Sequence, residues 1–97
     1  MNRKKLIYSI LKELQDGIEP NKSDYELDLQ QWGEIALLVK NEGFANGIGV
    51  FYADNEVYTV SFNSAKITMK GMNFLEENSA WAKAYKGLKE ARDWFKL

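Results

Sequence analysis

Three consecutive cations, Arg3-Lys4-Lys5, stand directly ahead of an apolar-periodic segment, a placement in which clustered positive charge can hold a phosphate. The same charges also serve as ordinary solubilising residues at a chain end. A second polar set, Gln30, Lys40 and Asn41, falls on one face of the helical segment from Leu29 to Asn41. Amide and cationic side chains on an exposed helix face are those that reach the base edges and phosphates of duplex DNA. Glu34 on that face opposes phosphate, and with Leu37 beside it the face reads equally well as a solvated helix surface carrying one exposed leucine. Trp94, near the end of the chain, lies off the apolar stripe formed by Trp81, Tyr85, Leu88 and Phe95. A tryptophan in that position suits either a homodimer interface or packing against the first helix.

Catalytic chemistry finds little support. Cysteine and histidine are both absent, which excludes disulfides, the usual zinc sites, thiol nucleophiles and imidazole bases together. Asp24, Glu26 and Asp28 alternate like the first ligands of a calcium loop, but Leu29 and Ile35 occupy the positions that need glycine and glutamate. Gly47-Ile48-Gly49 begins a dinucleotide fingerprint, yet Tyr52 stands where the third glycine belongs. We therefore expect no enzyme activity, metal, cofactor or small-molecule ligand. Ile35-Ala36-Leu37-Leu38-Val39 is the longest apolar run, far short of a membrane span, and the charged start lacks the apolar core of a signal peptide. A soluble cytoplasmic protein is expected, so the Asn21-Lys22-Ser23 sequon is read as accidental.

The net charge of −1 conceals an uneven distribution. Arg3, Lys4, Lys5 and Lys12 make the first segment basic, and Lys83, Lys86, Lys89, Arg92 and Lys96 do the same at the other end. Between them acids outnumber lysines, which matters more for a nucleic-acid partner than the total does.

The elements that must position these residues follow from periodicity. Leu6, Ile7, Ile10, Leu11 and Leu14 share a helical face, closed by Asp16-Gly17 and Pro20. Ser23-Asp24-Tyr25-Glu26 has a capping-box pattern, and Asp28 with Gln31 repeats it five residues later, which predicts a very short second helix, a tight turn and a third helix to about Asn41 or Glu42. Leu29, Trp32, Ile35, Ala36 and Val39 form its core face. Ile48, Val50 and Tyr52, then Tyr58, Val60 and Phe62, alternate around Ala53-Asp54-Asn55-Glu56, which predicts a β-hairpin with an acidic tip. That tip suits a simple turn better than a DNA contact. Thr68 is placed to cap a helix that Gly71 would weaken by about 1 kcal/mol relative to alanine, so another backbone is expected close to Gly71. Asn78 is expected to end that helix in the left-handed conformation, with a last helix starting at Ser79.

Helix, short helix, helix, hairpin and helix is the winged helix-turn-helix order, and Ile67-Thr68-Met69-Lys70-Gly71-Met72-Asn73-Phe74-Leu75 resembles the segment that follows the wing in many such proteins. The whole chain resembles the YjcQ family of small proteins from Gram-positive bacteria and their phages. The matching residues are Lys5-Leu6-Ile7-Tyr8-Ser9-Ile10-Leu11-Lys12-Glu13, then Glu42-Gly43-Phe44, and finally Glu76-Glu77-Asn78 with Trp81, Lys83-Ala84-Tyr85-Lys86, Lys89-Glu90 and Asp93-Trp94. The resemblance implies a winged-helix fold and a regulatory or DNA-associated role. It brings no established biochemical activity.

The expectation is thus one α+β domain over residues 1–97: three helices, a β-hairpin wing and two C-terminal helices, the last an extension over 79–97. Its expected partner is double-stranded DNA, met by Arg3, Lys4, Lys5, Gln30, Lys40 and Asn41. The alternative is a protein-interaction module that contacts its partner through Leu37, Trp94 or the hairpin and binds no DNA.

Overall fold

The computed structural model describes residues 3–82. Its first helix, α1 (Arg3–Gln15), buries the apolar stripe read from the sequence, with Leu6, Ile10 and Leu11 fully covered. A 3-10 helix follows at Lys22–Tyr25, then α2 (Leu29–Asn41), strands β1 (Ala45–Asn46), β2 (Gly49–Ala53), β3 (Glu56–Ser61) and β4 (Lys66–Ile67), and α3 (Met69–Glu77). Three α-helices and two separate two-stranded antiparallel sheets, β1 with β4 and β2 with β3, make an α+β fold among the described residues.

This corrects the expected helix count. The short second helix is a single 3-10 turn whose N-cap is Asn21, and the Asn21 side chain accepts from the Ser23 amide at 3.0 Å. Four residues cannot complete α-helical hydrogen bonding, and Glu26 closes the turn at φ 55°, so the Ser23 capping box does not form. The second box does form: the Asp28 carboxylate accepts from the Gln31 amide at 2.8 Å while the Gln31 side chain accepts from the Asp28 amide at 3.1 Å. Two of the first-turn donors of α2 are thereby satisfied locally, which fixes where it starts. It ends at Asn41 because Gly43, at φ 75°, reverses the chain; the Gly43 and Phe44 amides then donate back to Lys40 and Val39 carbonyls.

The core lies between α1 and α2 and is closed by Ala45, Ile48, Phe62 and Leu75. Trp32 sits within it, stacked on Tyr25 at 5.5 Å and tilted against Phe62 at 5.2 Å. The Thr68 side chain accepts from the Gly71 amide at 3.1 Å and donates to the Gly43 carbonyl at 2.5 Å, so one residue caps α3 and ties it to the end of α2. Asn78 departs from expectation: at φ −116° it is not left-handed, and its amide side chain instead donates to the Phe74 carbonyl at 2.9 Å. Side-chain capping gives the last carbonyls a donor without the strained backbone. Trp81 then meets Tyr8 of α1 edge-on at 5.8 Å. The predicted last helix lies, beyond Ala82, outside the described residues.

Candidate functional site

The first turn of α1 carries Arg3 and Lys4 exposed and Lys5 half-buried, and it holds no acidic residue. Unsatisfied amides at a helix start already favour anions, so the cations add to a field of the same sign. Packing of α1 beside α2 makes a shallow groove of about 410 Å³ lined by Arg3, Glu34, Ile35, Leu37, Leu38 and Asn41. Three of the residues singled out in the sequence, Arg3, Leu37 and Asn41, are therefore brought together. Lys40, next to Asn41, is exposed. Glu34 is exposed in the same groove and limits its positive character.

Gln30 is not part of this surface. Its side chain donates to the Val57 carbonyl at 2.9 Å and accepts from the Val57 amide at 3.1 Å, pairing with the edge of β3 as a neighbouring strand would. The oxygen and N–H edge with which a glutamine pairs an adenine bidentately is thus already taken by Val57. The Val57 side chain also covers Gly33: a methyl group there would lie 2.7 Å from Val57 Cγ2. The hairpin thus docks on the first half of the α2 face that the sequence reading left open to solvent. Gly33 was the available signal, because a glycine inside a helix is unfavourable unless something lies close to it. Replacing Gln30 with alanine should remove both bonds, speed hydrogen exchange at the Val57 amide and lower stability by about 1–2 kcal/mol. Unchanged exchange at Val57 would show that the apolar contact alone seats the hairpin.

The hairpin turns through Asp54 and Asn55 at φ 53° and 66°, the two left-handed positions of a tight two-residue loop. Its pairing shifts register between Phe51 and Tyr52, opposing Phe51 to Thr59 but Tyr52 to Val57. This bulge changes which β3 residues face inward, so Val57 is buried while Tyr58, which alternates with Val60 and Phe62 in the sequence, is 64% exposed. Phe51 and Tyr52 are also half in solvent. From Asn41 through Ala65 there is no lysine or arginine, and Glu42, Asp54 and Glu56 are the charged residues. An acidic, aromatic hairpin is a poor surface for a phosphate backbone.

Among the described residues no group of three acidic side chains is arranged to hold a metal ion, and no helix is long and apolar enough to cross a membrane. Trp94, the expected dimer contact, lies outside the described residues.

Comparison with known proteins agrees on one likeness. The family model described as YjcQ protein matches residues 8–94. Uncharacterized protein YjcQ of Bacillus subtilis (strain 168) is 39% identical over 97 residues, covering 99% of this chain and 100% of the relative. The solution NMR structure of the YjcQ protein from Bacillus subtilis aligns with a TM-score of 0.56 at 33% identity, covering 79% of this chain and 96% of that one.

Proposed function

The chain belongs to the YjcQ family, and from that premise we propose that it is a non-enzymatic regulatory protein of winged-helix type. It binds double-stranded DNA along the edge where the start of α1 meets the second half of α2. The observation that carries this reading is that Arg3 and Asn41 line one groove, while Lys4 and Lys40, their neighbours in sequence, are exposed. Element order supports the winged-helix assignment: a helix, a short 3-10 turn, a helix, a hairpin and a helix. The contact differs from the usual one, because Gln30 is engaged and the hairpin tip is acidic. What remains is phosphate attraction, with Asn41 the one amide of the original set still free to meet a base.

Such binding must weaken with salt. A fluorescence titration of the full chain against random-sequence duplex DNA, at low and moderate salt, should give a falling log K with rising log salt. Replacing Arg3, Lys4 and Lys5 together with alanine should weaken binding about uniformly across sequences and reduce the salt slope by about 2–3. Absence of binding at low salt, or equal affinity in the triple variant, would overturn the assignment.

A further inference from the structure

The proposed DNA edge makes no use of the hairpin, whose outer strand has an unusual surface. β3 is occupied on both sides, by β2 and, at Val57, by the Gln30 side chain. Among the described residues β2 is paired on one side only, and no hydrogen bond other than those to β3 reaches Gly49 to Ala53. Open strand edges are normally protected by a charge, a proline or a covering element. The β2 sequence Gly49-Val50-Phe51-Tyr52-Ala53 has no charge and no proline, and Phe51 and Tyr52 are 51% and 52% exposed. With Tyr58 at 64%, three aromatic rings stand in solvent on one short hairpin.

We propose that β2 is the acceptor edge for an extended, lysine- or arginine-bearing segment of a partner protein, which adds to the hairpin as a third strand. Main-chain groups of β2 supply the pairing, and the rings give apolar area for alternate side chains of the guest. Charge selects the guest. Asp54 and Glu56 close the hairpin, and no cation occurs between Asn41 and Ala65 to repel a basic segment or to attract an acidic one. Exposed Tyr and Phe faces also accept a guanidinium or ammonium group. A second copy of this chain pairing through β2 would bring strands without opposite charges together, so charge complementarity favours the basic partner.

The test uses the full chain, labelled for amide NMR, and two seven-residue probe peptides: one alternating lysine with valine, the other alternating glutamate with valine. The lysine peptide should shift the amides of Gly49 to Ala53 and slow their hydrogen exchange, whereas the glutamate peptide should leave them unchanged. Asp54→Asn with Glu56→Gln keeps residues suited to the turn and removes both charges. That variant should bind the lysine peptide about fivefold more weakly. Tyr58→Ser, at an exposed position, should weaken binding without altering the spectrum of the core. The proposal is overturned if the lysine peptide leaves β2 untouched, if both peptides shift it equally, or if the shifts fall on α1 and α2 instead. Shifts of the β2 amides with protein concentration in the absence of peptide would assign the edge to a second copy and overturn the basic partner.

Discussion

Gly71→Val should lower the thermal midpoint by more than about 10 °C, corresponding to a loss near 3 kcal/mol in a chain of this size. Gly71 is buried in the first turn of α3. A methyl group built there collides with the Phe44 carbonyl oxygen and lies 2.7 Å from Ile67 Cγ1. The carbonyl cannot give way freely, because it accepts the Thr68 amide at 3.0 Å in the same corner. Thr68 in turn holds Gly71 and Gly43, so displacement of one backbone segment disturbs the cap, the end of α2 and the β1–β4 pair together. Alanine is the sharper control. It improves helix propensity by about 1 kcal/mol yet carries the same Cβ, so the clash account requires Gly71→Ala to be destabilising as well. A variant that melts at or above the parent would show that the glycine is tolerated rather than required.

The corner around Gly71 was legible from sequence because its signals are local. Thr68 as cap, the Asp28 and Gln31 box, the end of α2 at Asn41 and the turn at Asp54-Asn55 all depend on residues within a few positions of one another. Two local details were misread, since Asn21 rather than Ser23 caps the 3-10 turn and Asn78 closes α3 with its side chain, but the larger errors were decided by a distant contact or a shift in register. The alternation of Tyr52 and Tyr58 with valines is real in the sequence, but one bulge reverses the face that β3 presents beyond it. Likewise Gln30 looks like a base reader when the helix is considered alone. Only the docking of Val57, 27 positions later, engages both ends of its amide. The candidate cations present the opposite case: their existence was plain, whereas the placing of Arg3 and Asn41 on one groove required the packing of α1 on α2.

That packing depends partly on a buried polar cluster, and Tyr25→Phe should expose how much. Glu13 is 2% exposed and Ser9 also 2%, both on the core side of α1. The Tyr25 hydroxyl donates to the Glu13 carboxylate and pairs with Ser9 Oγ at 2.8 Å, joining α1 to the 3-10 turn that leads into α2. Phenylalanine keeps the stack on Trp32 and removes only the hydroxyl. A buried carboxylate that loses a donor forfeits more than the net worth of one hydrogen bond, so the expected loss is about 2–3 kcal/mol and a midpoint roughly 10 °C lower or more. Glu13→Gln retains an acceptor without the charge and should be milder. Combining it with Tyr25→Phe should cost less than the sum of the two single changes, because the two residues share one interaction. Strict additivity would show that Tyr25 acts through its ring alone. Measured well below the midpoint, the salt slope of the proposed DNA binding should be the same in Tyr25→Phe as in the parent, since the cluster holds α1 against α2 and contributes no cation. A reduced slope in a variant that is still fully folded would mean that the cluster sets the angle of α1, and with it the position of Arg3 beside Asn41.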